Sequence, residues 1–148
     1  MDFLFIHGNY PAQFRHLAAL LARDPGHRTP HPGTHHYLHA SEDAVLQGQA
    51  VLRELAQLLN EGLRPRVVIS HAGMGLGLFV KDLLPQALHV GYFEWFFNPD
   101  TTCHLLEQFD LDAQLKTGLR NLPILQELER CDRAVVPTAW QNSQFPKA

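Results

Sequence analysis

Residues 64–77 read "RPRVVISHAGMGLG". A proline breaks the chain, and an apolar run with no polar residue at alternate positions follows it. The run stops at Ser70 and His71, before glycines at 73, 75 and 77. A short continuous apolar run of this kind predicts a strand covered on both faces, and such strands belong to parallel sheets. The polar and glycine-rich residues after it predict a loop at the strand's carboxyl end, where open α/β sheets bind their ligands.

Three more runs have the same character. They are Asp2 to Ile6, Leu88 to Phe93 and Arg133 to Val136, which join Arg66 to Ser70 as four expected strands. Helical patterns lie between them. From Pro11 to Ala22, Phe14, Leu17, Ala18 and Leu21 fall at helical spacing, with the proline suited to the first turn. From Glu42 to Glu61 the apolar stripe is Val45, Leu52, Leu55, Leu58 and Leu59. Ser41 is the expected N-cap, Gly62 closes the helix and Pro65 prevents its continuation. A shorter helix is expected from Gly75 to Leu84, ended by Pro85, and a last one from Asp112 to Arg130, kinked or split at Pro123. This alternation predicts an α/β fold, a doubly wound parallel sheet with helices on both faces.

Arg23 to Ala40 fits that plan poorly. A second strand belongs there, yet the segment holds three prolines, two glycines and five histidines. Either a strand pair is lost or residues are missing from this stretch. The second reading is preferred, with 24–40 taken as an irregular loop, and a similar deletion is conceivable within 97–111.

The chain has 148 residues, 45% hydrophobic and 18% charged, with a net charge of -3. These values suit one globular domain, or one half of a two-domain protein. They argue against nucleic acid as a partner, which needs a concentrated basic surface. Two cysteines, Cys103 and Cys131, are no disulfide framework, so reduced thiols and a cytoplasmic location are expected. No run of about 18 apolar residues is present to span a membrane. A strand beginning at Asp2 leaves no room for a signal peptide. Peripheral membrane contact and a homodimer stay open.

The strand ends carry the chemistry. After the first strand, His7, Gly8 and Asn9 either form a tight turn with a capping Asn or let a ligand approach the backbone. After the second come His71, Gly73 and Gly75. The spacing G-x-G-x-G is not the dinucleotide fingerprint, and no Walker Lys-Ser/Thr pair follows, so a sugar or other small ligand suits this loop better than a nucleotide phosphate. After the third strand, Glu94 interrupts Tyr92, Phe93, Trp95 and Phe96. A carboxylate among aromatics is costly unless paired or used. Burial there would raise its pKa towards proton transfer, whereas the bland reading pairs it with an arginine such as Arg15. The fourth strand leads into "PTAWQNSQFP", residues 137–146, which includes Thr138. The candidate catalytic residues are thus Glu94 and His71. The candidate substrate-binding residues are His7, Gly8, Asn9, Gly73, Gly75, Tyr92 and Thr138. His27, His31, His35, His36 and His39 match no zinc spacing, so no metal site is expected. No nucleophile elbow or Cys/His pair is apparent.

Three stretches, "FLFIHGNYPAQFRHLAALLA", "GQAVLRELAQLLNEGLRPRVVISHAGMGLGLFVKDLLPQALHVGYFEWFF" and "ERCDRAVVPTAWQNSQFPKA", resemble the N-terminal domain of GT4-type retaining glycosyltransferases. That resemblance implies one Rossmann-like half of a GT-B architecture, in which the N-terminal domain binds the glycosyl acceptor. A C-terminal donor-binding domain would hold a nucleotide-sugar co-substrate such as a UDP- or GDP-sugar, usually with no essential metal and no other cofactor. The Gly8 loop would border the donor–acceptor junction, and His71 would help shape the acceptor pocket. Glu94 stands where many members place a histidine that contacts the transferred sugar, which puts a role as base in doubt. The donor domain is not part of the 148 residues, so the fragment is expected to be inactive alone. Two other readings stay open: a non-catalytic α/β domain binding a small ligand or a partner, and another GT-B enzyme such as a sugar-nucleotide epimerase.

Overall fold

The computed structural model describes residues 3–6, 31–103 and 109–147. Their elements are β1 (Phe3–Ile6), α1 (His39–Asn60), β2 (Val67–His71), α2 (Val80–Leu83), β3 (Leu88–Tyr92), α3 (Pro99–Thr102), α4 (Leu111–Leu119), α5 (Leu122–Arg130), β4 (Arg133–Val135) and α6 (Ala139–Ser143). All strand pairings are parallel, in the order β1-β2-β3-β4. Phe3 faces Val67, Val67 faces Leu88 and Val90 faces Arg133, so all four carboxyl ends share one edge. The α/β parallel sheet expected from the apolar runs is therefore present, and each strand lies within a residue of its expected bounds. The expected helix from Pro11 to Ala22 lies outside the described residues.

The two faces of the sheet are not equally covered. Ile6, Val68, Ser70, His89 and Phe93 are at most 2% exposed. The alternate positions Phe3, Leu88 and Val135 keep 53%, 42% and 45% of their surface. Helix α1 accounts for much of the cover. It buries Ala44, Gly48, Val51 and Leu55, a narrower and smaller-residue stripe than expected, while Val45 is exposed. The small residues let the helix come close: a Cβ on Gly48 would lie 2.7 Å from the Gly75 carbonyl oxygen. One core cluster joins Ile6, Val51, Val68, Leu76, Val80 and Ala87. A second gathers Phe96, Phe97, Leu128 and Phe145 around Ala72, Phe93 and Ile124. Burying a side chain such as Phe93 contributes roughly 1.5–3 kcal/mol.

Helix ends explain where the sequence reading shifts. Helix α1 starts at His39 behind Leu38, which makes no side-chain cap, so Ser41 lies inside the helix and is not its N-cap. Its end is as expected. The Gly62 N–H donates to Leu59 O and the Leu63 N–H to Leu58 O, with Gly62 at φ 105°. Arg64 donates to the carbonyls of Leu59 and Leu63. The expected helix from Gly75 to Leu84 shrinks to Val80–Leu83. Residues 73–77 form a loop instead, because Gly73 and Gly75 take positive φ (100° and 81°). The long helix near the C-terminus is split into α4 and α5, with Pro123 in the first turn of α5, where its missing N–H costs nothing.

Candidate functional site

The carboxyl edge of the sheet brings His71, Tyr92 and Glu94 together. His71 ends β2 and pairs in register with Tyr92, which ends β3. The pairing runs on for a residue, as Ala72 N–H donates to Tyr92 O and Phe93 N–H to Val135 O. Phe93 turns into the core, so Glu94 turns out of it. There His71 Nε2 donates to Glu94 Oε2 at 3.0 Å. The imidazole is 10% exposed and the carboxylate 51%. Glu94 is therefore not the desolvated carboxylate that its aromatic neighbours suggest, and its partner is a histidine from the next strand. The Tyr92 ring lies 6.0 Å from that of His71.

Two side-chain amides fix the segment that carries Glu94. Gln141 on α6 donates its Nε2 to Glu94 O at 2.8 Å. Thr138 caps α6 by accepting from Gln141 N at 3.1 Å, and its hydroxyl donates to Gln141 Oε1 at 2.8 Å. Thr138 thus acts on Glu94 through Gln141. Asn121, buried at the start of α5, accepts from Phe97 N and donates to Phe97 O, both at 2.8 Å. It reproduces with one side chain the two bonds of a strand partner. Trp95 and Trp140 lie beside this segment with ring centroids 5.9 Å apart, and Trp140 is 52% exposed.

The glycine loop after His71 faces inward. Gly75 N–H donates to Glu127 Oε1 at 3.0 Å, and Gly73 N–H to the same oxygen at 3.4 Å. Glu127 lies on α5 and is 1% exposed. Burial pushes its carboxyl up to about 7, against the opposing pull of the Gly73, Gly75 and Gly77 amides. Its second oxygen, Oε2, is buried and meets no hydrogen-bond criterion among the described residues. A Cβ on Gly77 would come within 2.7 Å of that oxygen and 2.6 Å of Ser70 Oγ, so only glycine fits there. Ser70 Oγ bonds His89 Nε2 at 2.8 Å, and both residues are fully buried. Burial lowers the His89 imidazole to about 4, outweighing nearby Asp132. Asp132 accepts from His89 N–H and from Lys81 Nζ, both at 2.8 Å, and these two donors hold its carboxyl below the usual range.

His71, Glu94, Tyr92, Thr138, Gly73 and Gly75 thus cluster around the ends of β2, β3 and β4, whereas His7, Gly8 and Asn9 lie outside the described residues. Glu127, His89, Asn121 and Gln141 were not singled out in the sequence. For Glu127 a signal exists: Ile124, Glu127, Leu128 and Cys131 share one helical face, and Ile124 is core. An open groove lined by Pro65, Val67, Leu84 and Leu88 sits at the amino end of β2 and β3, opposite this chemistry. Among the described residues of the histidine-rich stretch, His31, His35 and His39 serve its own turns. His31 and His35 accept from Gly33 N–H and Tyr37 N–H through Nδ1, and His39 Nε2 bonds Thr34 O. Among the described residues no group of three or more His, Cys, Asp or Glu side chains is placed to hold a metal ion. No helix among them is long and apolar enough to cross a membrane, and no disulfide joins Cys103 and Cys131.

A parallel α/β sheet with its polar cluster at the carboxyl edge defines a Rossmann-like domain. Residues 18–148 match the sequence profile of the glycosyl transferase family 4 group, and the chain belongs to that family. The comparison with curated proteins gave no match, and neither did the comparison with solved structures.

Proposed function

We propose that this domain is the acceptor-binding half of a retaining glycosyltransferase, and that the His71–Glu94 pair faces the reacting sugars. The observation that carries this reading is the 3.0 Å pair at the carboxyl edge of a sheet belonging to a glycosyltransferase family. An imidazole fixed by a carboxylate presents a defined ring face, while the half-exposed carboxylate keeps lone pairs for a hydroxyl. Glu94 orients His71 and accepts from a sugar hydroxyl. Tyr92 supplies an apolar wall, and the loop at Gly73 and Gly75 borders the pocket. Thr138 acts through Gln141.

In this reading a C-terminal donor-binding domain supplies a nucleotide-sugar such as a UDP- or GDP-hexose, and residues 1–148 alone do not turn over, because both reactants must be held together. In this reading the domain acts in the cytoplasm on a carbohydrate acceptor. Glu94→Gln tests the reading in a protein that includes a donor domain. It keeps the shape and removes the charge, so turnover should fall at least tenfold with little change in unfolding temperature. Undiminished turnover would show that Glu94 has no part in transfer. Anomeric analysis of the product decides retention.

A further inference from the structure

Three glycines in five residues normally advertise a loop that binds an anion from outside with its free N–H groups. Here the donors are already committed. The amides of Gly73 and Gly75 converge on Glu127 Oε1, and Gly75 is pressed from the other side by the α1 backbone at Ala44, where no Cβ fits. The loop therefore has an anion-binding shape whose anion is built into the domain. It begins one residue after the Ala72 N–H to Tyr92 O bond and two residues after His71. Whatever sets the loop also sets the direction in which His71 leaves the sheet.

We propose that Glu127 is a positioning residue for this site: its buried carboxylate fills the loop's amide nest from within and holds the backbone that aims His71 at Glu94. The loop then shapes the pocket without binding phosphate. Ser70 on β2 and His89 on β3 face the carboxylate across Gly77, and Cys131 lies near it just past the end of its own helix. Lys81 and Asp132 act on His89. Burial brings the Glu127 carboxyl to about 7, so near neutral pH the nest is held partly by a carboxylate and partly by a neutral acid. A neutral acid is the weaker acceptor, since charge-assisted bonds are roughly twice as strong. The grip on the loop accordingly relaxes as pH falls.

The importance of this grip for catalysis rests on the reading of His71 and Glu94 given above, but its test does not. Glycine amides are followed by NMR in the whole 148-residue chain and in Glu127→Gln, which keeps an acceptor oxygen but cannot ionise. In the wild type the Gly73 and Gly75 amide signals should move with one shared midpoint near the Glu127 value of about 7. The His71 backbone amide signal should move with the same midpoint, and added inorganic phosphate should shift neither glycine. In Glu127→Gln the shared midpoint should vanish from the glycines and from His71, while signal dispersion shows the fold intact. A purely structural Glu127 would leave the pH dependence of the His71 backbone amide signal identical in the two proteins. That result, glycine amides that do not titrate in the wild type, or a saturable phosphate shift at Gly73 and Gly75 would each overturn the proposal. Glu94→Gln turnover fails or succeeds independently of all of these readings.

Discussion

Glu127→Gln also separates two buried titrations that oppose each other. Glu127 is 1% exposed, and its carboxyl rises from 4.5 to about 7 on folding. The folded chain therefore keeps a proton that the unfolded chain releases. The resulting stability is fully present below about pH 4.5 and is lost as pH rises through about 7. His89 is 0% exposed, and its imidazole falls from 6.5 to about 4. Its contribution has the opposite sign. It is present above pH 6.5 and is lost as pH falls through about 4. At about 1.4 kcal/mol per tenfold change in proton affinity, each effect is about 3 kcal/mol. The two nearly cancel in the wild type, whose stability should stay almost flat across the shared window. Glu127→Gln removes one of them. Stability should then climb by roughly 3 kcal/mol as pH rises from about 4 to about 6.5, the contribution of His89 alone. Urea unfolding at a series of pH values reads this directly. With a slope of about 1–2 kcal/mol per molar urea, the midpoint should move by roughly 2 M. His89→Gln should give the mirror image, a loss as pH rises towards 7. A Glu127→Gln profile parallel to that of the wild type would refute the opposed-titration account.

Other expectations follow from close contacts. Gly48→Ala should lower the unfolding temperature despite the better helix former. The new Cβ would lie 2.7 Å from a backbone oxygen of Gly75 and 3.0 Å from the Phe79 ring, and overpacking of this kind costs about 1–3 kcal/mol. Asn121→Ala leaves both polar groups of the Phe97 peptide without their partner. It should cost roughly 2–3 kcal/mol in denaturant unfolding and broaden the Trp95 side-chain signals. Thr138→Val removes the α6 cap and the hydroxyl that orients Gln141. A loss of about 1 kcal/mol is expected, together with a measurable change at the Glu94 backbone amide.

Strands and helix ends were legible to different degrees, for physical reasons. Val67–His71 and Leu88–Tyr92 show in the sequence because a run of apolar residues bounded by proline or glycine has few other solutions. The end of α1 shows because Gly62 and Pro65 each forbid a continued helix. Its beginning does not, since Leu38 caps nothing and Ser41 offered a better-looking start. Gly75 and Gly77 looked like the first turn of a helix, because the constraint that holds Gly73 and Gly75 is a carboxylate some fifty residues away. Glu94 drew notice for its aromatic neighbours in sequence, yet what pairs with it is set by the register of His71 against Tyr92. Glu127 was masked by the ordinary look of a charged helix, although its spacing from Ile124 places it on the inner face.

Strand β1 has a consequence for how the sheet is assembled. β2, β3 and β4 come from residues 67–135, whereas Phe3–Ile6 pairs with Val67–Ser70 across some sixty intervening residues. Closing so long a loop carries an entropic cost that nearer pairings avoid, so β1 should be the last strand to join. Until it does, β2 presents an open row of N–H and C=O groups, a template for any extended chain. A nascent chain at that stage is therefore exposed to strand exchange with a second copy. By the same logic a separate peptide carrying FLFI, supplied to a chain shortened before residue 7, should be able to complete the sheet from solution.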